Sequence, residues 1–220
     1  PQVDEISRLG LASLSEALVA RSATVMAEPM GVDIESDTIL FFPLLYWPVT
    51  PGQAPLSAGA GARIGEYMRH GGLILFDTRD ADALPMSGGG GDSRLTLRTL
   101  LRTVDIPALV ATPADHVLGR SFYLLKEFPG RVAGGTVWVA RDPRGNDSVS
   151  PVVIGGNDWA GAWAGGGRDG GRPLFPVVPG GERQRELAFR FGINLVMYAL
   201  TGNYKSDQVH LPAILERLTQ

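Results

Sequence analysis

Residues 73–80 read LILFDTRD, an unbroken apolar run that turns into Asp77, Arg79 and Asp80 within four positions. A carboxylate at such a place can serve as a general base. A guanidinium beside it offers five fixed donors that suit a carboxylate or a phosphate. The same three charges can instead pair with one another and cap the loop that follows. Two further clusters have the same form. Tyr46 and Trp47 follow the apolar stretch TILFFPLL, and Asn157, Asp158 and Trp159 follow VVIGG, whose glycines permit close backbone approach. That last cluster reads equally well as a turn with Trp159 filling the core.

Other chemistry-bearing residues point to less. Gly88 to Gly91 lack the Lys-Ser/Thr pair that a phosphate loop needs, since Asp92 and Ser93 follow them, and the run reads as a connector. His70, His116 and His210 have no second ligand at metal spacing. Ser121, in GRSFYLL, lacks the G-x-S-x-G elbow of hydrolases. Tyr204, Lys205, Asp207 and His210 follow a long helical pattern and read as a solvated surface. No metal and no cofactor is expected.

The composition narrows the classes further. The chain has 220 residues, 44% hydrophobic and 20% charged, enough for one globular core. Its formal net charge is -3 and its basic residues are scattered, which speaks against a nucleic-acid footprint. It has no cysteine, so disulfides, thiolate metal sites and a cysteine nucleophile are excluded. No apolar run reaches the roughly 18 residues of a membrane span, and no signal-peptide pattern opens the chain. The first residue is Pro1 rather than Met, so an excised or processed piece of a longer protein is expected.

The elements that must position these clusters follow from periodicity. Leu11, Leu14 and Leu18 mark one face of an opening helix. Thr24 to Met26 reads as a short strand, and Thr38 to Leu45 as a strand buried on both faces whose second half Pro43 weakens. Ser57 caps a helix through ARIGEYMRH that Gly71 and Gly72 stop, with His70 at its cation-favouring end. The strand from Leu73 to Phe76 follows at once. Strand, helix and strand in close succession predict a βαβ unit with a right-handed crossover.

A helix begun by Asp92 or Ser93 presents Leu97, Leu100, Leu101 and Val104. VLGRSFYLL reads as extended, and GTVWVAR and SPVVIGGND as strands, with Arg141 to Ser150 turning between them. Gly161 to Gly171 reads as a mobile loop over the site. Glu182 to Thr201 is the clearest helix, ended by Gly202, and Pro212 starts a last short one. The expected fold is a single α/β domain over residues 1–220. It is a three-layer sandwich, with a mainly parallel sheet and helices on both faces. In such a sheet ligands sit beyond the carboxyl ends of the strands. If the three strands are parallel neighbours, their polar ends converge on one rim.

Several stretches together resemble domain-of-unknown-function family 4159. They are FFPLLYWPV, YMRHGGLILFDTRD, ADHVLGRSFYLL, SPVVIGGNDWA and ERQRELAFRFGINLVMYALTGNYKSDQVHLPAILERL. The likeness runs from about Val3 to Leu218. The resemblance implies a relative of the class I glutamine amidotransferase fold, which is flavodoxin-like. It also implies the carboxyl-terminal part of a larger bacterial protein whose amino-terminal part carries transmembrane helices. Such a family member usually has a strand before its first helix, so the sheet is expected to be one strand short. The resemblance brings no established activity. The cysteine nucleophile of the amidotransferases is absent, so no residue carries over as catalytic.

The expectation is therefore a non-catalytic ligand-binding or protein-interaction domain of a membrane-anchored protein. Tyr46, Asp77, Arg79, Asp80, Arg120, Asn157 and Asp158 would face a small molecule or a protein partner, with no nucleic acid involved. The membrane would be reached only through segments outside this chain, on a side the sequence does not specify. The alternative is a hydrolase or transferase that uses Asp77 or Asp80 as base, with Arg79 on an anionic group. A third reading is a structural assembly domain, marked by an exposed apolar patch.

Overall fold

The computed structural model describes residues 2–80, 89–142, 149–165 and 172–218, with the backbone alone for 89–92 and 201–218. It is an α/β fold built on one five-stranded mixed sheet. Helix α1, Gln2–Arg21, opens the chain, and its Leu14, Ala17 and Leu18 are buried, the face that the leucine spacing predicts. Strand β1, Leu44–Pro48, leads into helix α2, Ala58–Arg69, whose N-cap Ser57 accepts from Ala60 N. Strand β2, Leu73–Asp77, follows. Then come helix α3, Gly89–Leu100, and strands β3, Leu109–Ala111, β4, Trp138–Ala140, and β5, Val152–Gly155. A one-turn helix α4, Trp159–Trp163, and the long helix α5, Gly181–Leu218, complete the described elements.

The strand order is β1-β2-β5-β4-β3. Strand β2 therefore lies inside the sheet with a parallel neighbour on each side, as its unbroken apolar run requires. Its side chains alternate between two hydrophobic clusters. Leu73 and Leu75 join the cluster that holds Leu18 of α1, Trp163 of α4 and Phe191 of α5. Ile74 and Phe76 join the cluster that holds Ile64 of α2 and Leu97 of α3. The close approach of α1 to α4 depends on Gly10, where a Cβ would come within 2.4 Å of Ala160 O.

Several expectations are corrected. The sheet is parallel only across β1, β2 and β5, because β4 runs antiparallel to both of its neighbours. Strand β3 falls in a three-residue stretch too short to show a period. The apolar stretch from Thr38 is not a strand until Leu44. Ile39–Phe41 form a 3-10 turn, and Phe41 lies 86% exposed. Pro43 can give only its carbonyl to the ladder, which it does to Leu73 N at 3.1 Å. Thr24 to Met26 is irregular rather than extended, and VLGRSFYLL folds as a 3-10 turn, Val117–Gly119, followed by a tight loop.

Helix α3 begins at Gly89, inside the glycine run read as a connector. Helix α5 continues through both Gly202 and Pro212. Gly161, expected in a mobile loop, is buried within α4 between Trp159 and Trp163, and the part of that loop at 166–171 lies outside the described residues. So do residues 143–148 of the turn before β5. The side chains of Tyr204, Lys205, Asp207 and His210 also fall outside the description.

Candidate functional site

The registers of β1, β2 and β5 place Pro48, Asp77 and Gly155 side by side at one edge of the sheet. Asp77 is therefore the last residue of a fully buried strand, and it is itself 0% exposed. An ion there requires donors, and it has four. Tyr46 Oη donates to Oδ2 at 2.9 Å, and Trp159 N to the same oxygen at 2.8 Å. Asp158 N and Arg79 N donate to Oδ1 at 3.2 and 3.1 Å. One carboxylate thus ties β1, β2 and the turn that starts α4. The polar ends of the three strands converge as the sequence predicts.

Asp158 is the second buried carboxylate, and two arginines hold it. Arg79 Nε donates to Oδ1 at 3.1 Å, and Arg131 Nε lies 2.7 Å from Oδ2. The guanidinium-bearing side chains of Arg79 and Arg131 are 24% and 32% exposed. Arg79 and Asp158 both have positive φ, 54° and 52°. This backbone is uncommon outside glycine, and asparagine and aspartate adopt it more readily than arginine. The two strained residues face each other across the ion pair, so the pair and the buried Asp77 network together over-determine their conformation.

Asp80 is buried and turned away from this pair. It takes Thr78 Oγ1 at 2.5 Å and Arg94 Nε at 3.1 Å. Asn157 donates through Nδ2 to Phe128 O at 2.8 Å, which also receives Trp159 Nε1 at 3.2 Å. Among the described residues its Oδ1 has no hydrogen-bond partner, although Asn157 is buried. Beside Phe128 lies a cleft of about 280 Å³, lined in part by Thr112, Lys126, Pro129, Gly134 and Thr136.

Arg120 is not brought to this edge. Its charge acts on His116, whose ring packs 5.7 Å from Tyr198, and Tyr198 Oη accepts from Ser150 N. Ser150 precedes β5, whereas Asn157 and Asp158 follow it, so Arg120 lies toward the opposite edge of the sheet.

Sequence reasoning missed Arg131 and the residue that places it. Gln184, buried in the first turns of α5, donates through Nε2 to Gly130 O at 2.9 Å and Arg131 O at 3.2 Å. Gly130 packs against Asn157, where a Cβ would fall 2.2 Å from Asn157 O. Neither residue belongs to a strand end. Their only sequence signal is a polar residue on the buried face of a helix and a glycine before an arginine.

Burial raises the Asp77 carboxyl to about 7, and the Asp158 charge adds to the rise against the pull of its hydrogen-bond donors. Burial, with the charges of Asp77 and Asp158, also holds the Tyr46 hydroxyl well above its usual range, so it stays a donor. The folded protein thus takes up a proton at Asp77 over a range where the unfolded carboxyl, at 3.8, does not. This contribution to stability is fully present below pH 3.8 and is lost as pH rises through about 7. We expect the urea midpoint of the wild type to rise, relative to that of Asp77→Asn, as pH falls from neutral toward the carboxyl range. An identical pH slope in the two proteins would contradict the raised value.

Among the described residues no helix is long and apolar enough to cross a membrane. A family model described as a domain of unknown function, DUF4159, matches residues 1–200, and the chain belongs to that family. A search of curated proteins gave no match.

Proposed function

We propose that this chain is a non-catalytic binding domain of a membrane-anchored bacterial protein, and that the sheet edge at Asp77 and Asp158 meets its ligand or partner. The scaffold is read as a three-layer sandwich of the glutamine amidotransferase-like, flavodoxin-like kind. The division of β2 side chains between two helix-bearing clusters supports that reading. One observation carries the non-catalytic assignment. Asp77 has no exposed surface and both its oxygens are filled by structural donors, so it offers a substrate no lone pair. Asp80 is likewise engaged by Thr78 and Arg94. The outward chemistry of the edge is cationic, from the partly exposed Arg79 and Arg131. The cleft beside Phe128, which Lys126 and Glu127 both line, is too small for a large metabolite.

The alternative, a hydrolase or transferase with Asp77 as base, draws on its raised proton affinity. It would require the Tyr46 and Trp159 contacts to open before any proton could be taken from a substrate.

Calorimetric titration with inorganic phosphate and with citrate tests the binding reading. Heat of binding is expected in the wild type and not in Arg79→Ala. Asp158 keeps Arg131 in that variant, so the stability loss should be about 1–2 kcal/mol, between an exposed pair and a stranded buried charge. Equal titration curves for the two proteins, or none for either, would remove Arg79 from the site.

A further inference from the structure

Residues 119–125 form a closed loop at whose base Leu125 N donates to Gly119 O at 2.7 Å. The loop is not loose. Asn194, fully buried in α5, accepts from Phe122 N and Tyr123 N through Oδ1 and donates to Leu118 O and Tyr123 O through Nδ2. Along the loop the side chains alternate. Tyr123 lies under Arg190, whose guanidinium is 5.0 Å above its ring, and Leu125 is buried. Leu124 points outward and is 89% exposed, while Phe122 packs edge-on against the Tyr123 ring, centroids 4.9 Å apart, and keeps 44% of its surface exposed. A rigid loop therefore holds Leu124 and the outer part of the Phe122 ring in solvent, at a cost in hydration.

The charges around the loop are mostly basic. Arg120 and Lys126 flank the apolar pair in the chain and are exposed. Arg21 and Arg190 border Tyr123 and share the single carboxylate of Glu186. Against these four cations stand Glu186 and the exposed Glu127 and Asp115, the last of which acts with Arg120 on His116, so the cations exceed the carboxylates by one. The surplus is local, since the whole chain carries a formal charge of -3.

We infer that this loop is a membrane-contact site, in which Phe122 and Leu124 enter the headgroup layer of an anionic bilayer and Arg120, Lys126, Arg21 and Arg190 meet its phosphates. An exposed apolar side chain beside a local excess of bases is the chemistry of interfacial membrane binding. A fluid headgroup layer accommodates two projecting side chains directly, whereas a protein partner would need a matching pocket. The contact would add to whatever anchor lies outside this chain and would set the orientation of the domain on the surface. It does not use Asp77, Arg79 or Asp158, although Lys126 also lines the cleft beside Phe128.

The test is co-sedimentation of the protein with vesicles of phosphatidylcholine, with and without phosphatidylserine. Binding is expected only to the anionic vesicles and should weaken as salt shortens the screening length. The double variant Phe122→Ser, Leu124→Ser should bind about a hundredfold less, roughly tenfold for each apolar side chain removed from the interface. Arg120→Glu with Lys126→Glu should lose at least about fivefold per charge. All four positions are exposed, so circular dichroism of these variants should match the wild type. Failure of the wild type to sediment with anionic vesicles, or undiminished sedimentation of the Phe122/Leu124 variant, overturns the proposal. So does a self-association that this variant dissolves in the absence of lipid, which would make the loop a contact between copies.

Discussion

Asp77→Ala should lower the stability of the domain by about 3–5 kcal/mol, because it leaves several buried donors without an acceptor at once. Three of these are backbone N–H groups, of Arg79, Asp158 and Trp159, and the fourth is the Tyr46 hydroxyl. None can turn to water without moving the end of β1, the turn after β2 or the start of α4. Asp77→Asn should lose less. Its carbonyl oxygen can keep two of the N–H donors and the Tyr46 hydroxyl can rotate to accept, but its amide would face one N–H group donor to donor. Urea denaturation of the three proteins gives the order wild type, Asn, Ala. If Asp77→Ala unfolds at the wild-type midpoint yet abolishes anion binding, Asp77 belongs to a ligand and not to the scaffold, and the non-catalytic reading fails with it.

The central strand and its charged end could be read directly from LILFDTRD. An unbroken apolar run has to be covered on both sides, and the polar residues after it have to appear at the sheet edge. The convergence of Asp77 with Asp158 followed from two such runs being parallel neighbours, which their registers bear out. What the residues could not disclose was the role of the charges once they met. Asp77, Arg79 and Asp80 are adjacent in the chain but do not pair with one another through their side chains. Arg79 reaches Asp158, and Asp80 reaches Arg94. The left-handed backbone at Arg79 sends its side chain away from its neighbours, and no local pattern marks an arginine for that conformation.

Short elements and long-range contacts were less legible for physical reasons. Strand β4 lies within GTVWVAR, which reads as a strand, but β3 has three residues, too few for an alternation to rise above chance, so the antiparallel direction of this half of the sheet was hidden. TILFFPLL misled because hydrophobicity was taken for burial. Phe41 shows that a large apolar residue before a proline can stay in solvent. Arg120 was expected at the rim, but it sits on a loop, and only the topology of the sheet decides which edge a loop joins. Gln184, Arg185 and Asn194 are polar residues on the buried face of α5, and in the sequence they interrupt an apolar stripe. Each serves backbone groups far away in the chain, such as Gly130, Ala162 and Leu118, a relation that no spacing rule encodes.

Asn194→Ala should be as damaging as the change at Asp77, again about 3–5 kcal/mol, through a different mechanism. The amide side chain fills all of its capacity inside the core. Its oxygen takes the N–H groups of Phe122 and Tyr123 at 3.2 and 2.7 Å, and its nitrogen gives to the carbonyls of Leu118 and Tyr123, both at 2.9 Å. Alanine leaves four backbone groups unpaired around a position that is itself fully buried. Asn194→Asp would not rescue it, because a carboxylate oxygen would then face the two carbonyls. Part of the cost should be relieved by release of the loop, which lets water reach those groups. The amides of Phe122 and Tyr123 should therefore exchange with solvent far faster in Asn194→Ala, while those of β2 keep the protection that the remaining global stability allows. A midpoint within about 1 kcal/mol of the wild type, with unchanged exchange at Phe122 and Tyr123, would show that Asn194 does not hold the loop. The exposure of Leu124 would then reflect a loosely held segment, and its presentation to a membrane would lose its structural basis.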